Sequence, residues 1–171
     1  MSRRKKFVLL GATGSIGEST LRVLRKHPDK LELLGVSANQ QEEKLCSIVH
    51  EFQVPHAHLG TSPKMPEAFS SATTLSTGSA DLQALASHDD ADVVVVAIVG
   101  SAGLRPTLAA LEAGKDVVLA NKESLVVGGK LVTEAARKSG ARIIPADSEH
   151  NAIHQCLMGQ EERALDSIIL T

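Results

Sequence analysis

The chain has 171 residues, 43% apolar and 22% charged, and its 18 basic and 20 acidic side chains leave a formal net charge of −2. That balance excludes a disordered or fibrous chain and gives no drive towards nucleic acid or an anionic membrane surface. Three Phe with no Tyr or Trp mean a core of Leu, Val, Ile and Ala, and exclude base stacking on aromatic platforms.

The basic opening MSRRKKF is followed by only four apolar residues, 7–10 (FVLL). That run is too short for a signal-peptide or membrane-spanning segment, so the expected setting is cytoplasmic, with no membrane partner. Cys46 and Cys156 stand alone and read as reduced thiols. Residues 7–10 read instead as a strand buried on both faces, ended by Gly11. Gly11, Gly14 and Gly17 then recur every third residue, with Thr13, Ser15 and Ser19 as capping hydroxyls. Such glycines let the chain reverse, approach a bulky anion and pack a helix close to a strand, with the helix N–H groups aimed at a phosphate. The stretch reads as a dinucleotide-binding turn of the form G-x-x-G-x-x-G; a strand-to-helix turn with glycines serving chain reversal alone is the alternative.

Ile16, Thr20, Val23 and Leu24 mark the first helix, which Pro28 stops. A second strand, 31–36, leads to Ser37, Ala38, Asn39, Gln40 and Gln41, where the fold places residues that face the adenosine ribose. An NAD-selective turn usually carries Asp or Glu there. Its absence leans towards a 2′-phosphate and NADPH, with the amides of Asn39, Gln40 and Gln41 as donors and Lys44, Arg22, Arg25 or Lys26 as sources of charge. A helix over 40–51 and a short extended segment 56–59 complete β-α-β-α-β. Residues 60–78 read as an irregular connection that carries little chemistry. A helix about 81–87 precedes the strongest buried strand, 92–98, then the small-residue turn 100–103. Next come a helix through Leu104, Leu108 and Leu111, a strand 117–119, a helix through Leu125, Val132 and Ala136, a strand 142–144, and an apolar strand 166–171. Alternation of this kind predicts an α/β, Rossmann-like, doubly wound parallel sheet. The polar clusters after its strands should converge on one rim.

Two of those clusters carry chemistry. Asn121, Lys122 and Glu123 place an amide, an ammonium and a carboxylate at one strand end, which is either a polar helix start or a group that polarises a substrate carbonyl. Asp147 and Glu149, two residues apart in an extended segment, would point the same way and offer hard oxygen ligands suited to Mg²⁺ or Mn²⁺. His150 and His154 are spaced i, i+4, but HNAIH lacks the Glu of a zincin and has no third nitrogen or sulfur ligand nearby.

The segments GATGSIGESTL, AIVGSAGLRPTLAALEAGK, LANKESLV and PADSEHNAIHQCL together resemble the 1-deoxy-D-xylulose 5-phosphate reductoisomerase family. The resemblance implies an NADPH-dependent, divalent-metal-dependent enzyme. It rearranges that sugar phosphate and reduces the product to 2-C-methyl-D-erythritol 4-phosphate, in non-mevalonate isoprenoid synthesis. By position, it implies Thr13, Gly14, Ser15 and Ile16 as the cofactor-phosphate turn, Asn121 and Glu123 as cofactor contacts, and Lys122 and Ser148 as substrate contacts. Asp147 and Glu149 become two ligands of a Mg²⁺ or Mn²⁺ ion. The expected organisation is a cofactor domain over 1–149 and the start of a catalytic domain over 150–171, a homodimer at full length, with this chain alone binding cofactor but catalytically incomplete. A cofactor-binding regulatory module, or another small NAD(P)-dependent dehydrogenase such as aspartate-semialdehyde or homoserine dehydrogenase, is the alternative. Neither dehydrogenase explains Asp147-Ser148-Glu149.

Overall fold

The computed structural model describes residues 3–161 and 165–169. Seven parallel strands form one sheet in the order β4-β3-β2-β1-β5-β6-β7: β1 Lys5–Leu10, β2 Leu31–Ala38, β3 His56–Leu59, β4 Thr74–Thr77, β5 Val93–Val96, β6 Asp116–Leu119 and β7 Ile143–Pro145. The helices are α1 Ser15–Lys26, α2 Glu42–Phe52, α3 Ser79–Ala86, α4 Leu104–Glu112, α5 Lys122–Ser139 and α6 Ser148–Leu157. The strand order reverses between β1 and β5, which is where an open α/β sheet leaves a crevice at its strand C-termini.

Alternation along β1 sets the two layers. Leu9 faces one way and packs with Leu21 and Leu24 of α1 and Leu45, Ile48 and Val49 of α2. Val8 and Leu10 face the other, against Leu85 of α3, Leu111 of α4 and Val132 of α5. Val93–Val96 is buried throughout, as a central strand covered on both faces must be. Among the described residues no helix is long and apolar enough to cross a membrane.

Two segments depart from expectation. Residues 60–78 are not wholly irregular, because Thr74–Thr77 pairs in parallel with β3 and becomes the sheet edge. This strand is polar and only half-buried, so it carries no apolar run to announce it. The apolar strand expected over 166–171 is absent from residues 165–169, which lie outside the sheet; Leu170 and Thr171 fall outside the described residues. Ile168 and Ile169 are 51% and 83% exposed.

Candidate functional site

The cleft at the switch point has a volume of about 370 Å³ and is lined from four strand ends, by residues that include Gly11, Gly14, Asn39, Gly60, Ile98 and Val99. Its floor is built by Ser37 at the end of β2. The Gly11 N–H donates to the Ser37 hydroxyl at 3.1 Å, and the Ala12 N–H donates to the Ser37 carbonyl at 2.8 Å. Ser37 therefore fixes the glycine turn from 26 residues away, a role that its position in the sequence does not reveal.

The three glycines differ in what surrounds them. Gly11 has φ +87°, and a Cβ there would stand 2.6 Å from the Ala97 carbonyl oxygen. A Cβ on Gly17 would stand 2.4 Å from the Ala12 carbonyl oxygen. Gly14 is open, its nearest neighbour being the Gly11 carbonyl oxygen at 3.6 Å. Gly14 is also the N-cap of α1 and supplies no side-chain cap. The turn thus presents a bare helix N-terminus to the cleft, the arrangement that receives a pyrophosphate. Thr13 lines the cleft, while Ser15 and Ile16 are exposed in the first turn of α1. Asn39 and Gln41 line the cleft; Gln40 lies just outside it.

His58 adds a feature that sequence reasoning missed. It lines the cleft but is only 3% exposed. Its Nε2 lies 2.8 Å from the Gly78 carbonyl oxygen, which can only accept, so Nε2 carries the hydrogen. Nδ1 is then a buried acceptor with no partner among the described residues.

The other two clusters stand on the same rim but outside the lining of that cleft. Asn121 caps α5: its Oδ1 accepts from the Ser124 N–H at 2.8 Å and from the Ser124 hydroxyl, while its Nδ2 donates to the carbonyls of Ile98 (2.5 Å) and Gly100 (2.7 Å). With 2% exposure, that amide ties the start of α5 to the strand end that forms the cleft wall. Lys122 is exposed and its Nζ lies 3.6 Å from Glu149 Oε2, joining the first turns of α5 and α6. Glu123 is half-buried and Ser148 exposed.

Asp147 and Glu149 do not share an extended segment. Asp147 is the N-cap of α6, and Glu149 lies in its first turn. The carboxylate of Asp147 accepts from the His150 backbone N–H at 3.3 Å and meets His150 Nδ1 at 2.6 Å. Burial pushes that carboxyl up, but the His150 hydrogen bonds outweigh it and hold the group below its ordinary value. Both side chains offer hard oxygens, which fits Mg²⁺ or Mn²⁺ in kind. Among the described residues no group of three or more His, Cys, Asp or Glu is arranged to hold a metal.

Comparison with known proteins places these features in a family context. Residues 7–129 match the model of the family described as 1-deoxy-D-xylulose 5-phosphate reductoisomerase. The enzyme of that name from Ralstonia pickettii is 46% identical over 97% of this chain and 44% of its own length. A structure of the reductoisomerase from Zymomonas mobilis in complex with NADPH superposes with a TM-score of 0.85, at 38% identity over 90% of this chain and 41% of that one. A reductoisomerase in complex with NADPH, fosmidomycin and magnesium gives 0.84 at 43% identity, over 89% and 38% respectively. The chain therefore spans less than half the length of these relatives.

Proposed function

The chain belongs to the 1-deoxy-D-xylulose 5-phosphate reductoisomerase family, and on that premise we propose that it forms the NADPH-binding part of an enzyme that rearranges and reduces this sugar phosphate. The observation that carries the reading is the unequal glycine triplet. Gly11 and Gly17 are closed by backbone, and Gly14 alone is open, at an uncapped helix start above the switch-point cleft. That is a cradle shaped for a pyrophosphate rather than a turn made only for chain reversal.

In this reading Thr13, Gly14, Ser15 and Ile16 form the turn that takes the pyrophosphate, with the N–H groups of Ser15 and Ile16 at the helix start facing it and the Gly14 N–H spent on the Gly11 carbonyl at 3.3 Å. Asn39, Gln40 and Gln41 face the adenosine ribose. Asn121 acts mainly by holding the Ile98–Gly100 wall in place, and Glu123 borders the cofactor. Lys122, steadied by Glu149, presents its ammonium to a substrate oxygen, and Ser148 contacts the substrate between the two carboxylates. Asp147 and Glu149 would hold a Mg²⁺ or Mn²⁺ ion, which when bound supplies Lewis acidity to the substrate's carbonyl and hydroxyl oxygens. Residues 1–149 form the cofactor domain and 150–171 begin the catalytic one, with a homodimer as the assembly of the longer protein and a cytoplasmic location.

Because the chain has no Trp or Tyr, nicotinamide emission can be followed against a dark background. Titration of the chain is expected to show saturable binding of NADPH, tighter than of NADH, since no carboxylate is available at the end of β2 to take the 2′-hydroxyl. Equal or tighter NADH binding, or no saturation with either, overturns the reading.

Asp147 serves as a helix cap as well as a metal ligand, and two substitutions separate the roles. Asp147→Asn keeps an oxygen for the His150 N–H and should leave α6 intact, whereas Asp147→Ala should cost about 1 kcal/mol of stability. Both remove a carboxylate. If Asp147 is a ligand, both weaken Mn²⁺ binding followed by water-proton relaxation; a silent Asp147→Asn leaves capping as its only role.

A further inference from the structure

We propose that Lys64, on the loop after β3, is the cation that selects a 2′-phosphorylated dinucleotide, and that the buried carboxylate of Glu42 positions it. The inference rests on the cofactor reading above and deepens it. The end of β2 offers three amides and no cation, so selectivity for a dianion needs a charge brought from elsewhere in the fold.

The nearer basic side chains are engaged or remote. Lys44 donates to the Thr13 carbonyl at 3.0 Å and pairs with Glu18 at 2.7 Å. Arg25 is held by both oxygens of Glu51, and Arg22 by the Ser19 hydroxyl. Lys26 ends α1, some ten residues beyond its N-terminus and so about 15 Å away along the axis. The Lys64 ammonium, in contrast, forms no ion pair among the described residues.

The loop that carries Lys64 is fixed against the end of β2. The Gly60 N–H donates to the Ala38 carbonyl at 2.9 Å, and the Thr61 N–H to the Asn39 carbonyl at 3.1 Å, which continues the β2–β3 ladder past the strand ends. Glu42 then captures the next turn. Its carboxylate accepts from the Lys64 N–H at 3.0 and 2.8 Å and from the Met65 N–H at 2.9 Å, while the residue is only 8% exposed. A carboxylate is buried only when charge-assisted hydrogen bonds offset its desolvation, so this contact is a built anchor rather than a surface accident. It has a second effect. Glu42 is the first carboxylate after β2, and saturated with backbone N–H groups it is not free to accept a ribose 2′-hydroxyl, as the acidic residue of an NAD site does.

The anchor brings Lys64 to a cavity of about 480 Å³ that shares Gln41 with the cofactor cleft. Its lining adds the Gln40 amide and the hydroxyls of Thr61 and Ser62. The Lys64 ammonium, the amides of Gln40 and Gln41 and the Ser62 hydroxyl are donors of the kind that hold a phosphate monoester, while the Thr61 hydroxyl is engaged with the Asn39 carbonyl at 3.3 Å. Lys44 also borders this cavity, with its ammonium engaged by Glu18 and the Thr13 carbonyl, and the carboxylates of Glu42 and Glu43 line it and oppose an anion, so the site is weaker than it would be without them.

The test compares adenosine 2′,5′-bisphosphate with 5′-AMP by calorimetry, and NADPH with NADH by nicotinamide emission. Lys64→Met is expected to weaken the 2′-phosphorylated member of each pair roughly tenfold or more, leave the other unchanged, and reduce the salt dependence of NADPH binding. Lys64→Arg should restore the preference, and Glu43→Gln should increase it. Glu42→Gln keeps an oxygen for both backbone donors but replaces the carboxylate oxygen nearest the Lys64 N–H by an amide NH2, so it should loosen the anchor and lower the preference without altering the Lys64 side chain. An unchanged NADPH-to-NADH ratio in Lys64→Met, with an unchanged melting temperature, overturns the proposal while leaving the cofactor reading intact. A wild-type chain that binds neither dinucleotide overturns the cofactor reading instead.

Discussion

Gly17→Ala is expected to destabilise the chain by about 3 kcal/mol or more, whereas Gly14→Ala should cost less than about 1 kcal/mol yet weaken dinucleotide binding by at least tenfold. The two positions belong to one motif and differ only in surroundings. A Cβ on Gly17 would lie 2.4 Å from the Ala12 carbonyl oxygen and 2.5 Å from that of Gly11. Those are backbone atoms of the turn itself, so relief requires α1 to shift away from β1. Leu21 and Leu24, buried on α1 against the sheet, would lose contact with it. At Gly14 the same methyl meets nothing closer than 3.6 Å, and its cost is that of a poorer N-cap. Once a pyrophosphate approaches the bare N–H groups, however, that methyl stands where the phosphate oxygens must come. Chemical denaturation and NADPH titration of the two variants separate the effects. A Gly14→Ala chain that bound NADPH normally would refute the cradle, however stable it proved to be.

The same contrast explains which features a reader of the sequence could recover. The β1 strand, the glycine triplet and β5 are continuous in the chain, and an apolar run beside small residues announces them. Parts of the site formed by contact across the sheet are silent in the sequence. Ser37 reaches Gly11 across 26 residues, Glu42 reaches Lys64 across 22, and His58 meets Gly78 across 20. None has a local pattern, because each role depends on strand order. The edge strand β4 was obscured by its polarity. Helix α6 carries Ile153, Cys156 and Leu157 at helical spacing but buries none of its ten residues, and Asp147 three positions before His150 is a legible cap. Residues 166–169 erred in the opposite direction. Ile168 and Ile169 suit a strand by composition, but residues 165–169 form no ladder, and propensity alone does not make one.

Asn121 was legible as a site residue for a reason different from the one the structure supplies, and its substitutions should have the second large effect. Asn121→Ala removes the α5 cap and leaves the carbonyls of Ile98 and Gly100 without their amide donor, inside a region that is 2% exposed at Asn121. A lost cap and two lost hydrogen bonds together predict about 2–4 kcal/mol of destabilisation. The Ile98–Gly100 wall should loosen with it, so NADPH affinity should fall even though the cleft keeps all its lining side chains. Asn121→Asp is the sharper probe. It keeps the Oδ1 acceptor for Ser124 but turns a second carboxylate oxygen towards two carbonyl oxygens, where the charged form is disfavoured by both burial and repulsion. The folded-state carboxyl is therefore raised above its unfolded value. Its penalty is absent at a pH below the unfolded value, grows as pH rises through the interval between the two, and is full above the folded one. Denaturant midpoints of Asn121→Asp relative to wild type should accordingly converge in acid and diverge towards neutrality. Those of Asn121→Ala should stay apart by a nearly constant margin. A constant margin for both variants would mean that Nδ2 does not hold the two carbonyls, and would remove the physical link between α5 and the cofactor cleft.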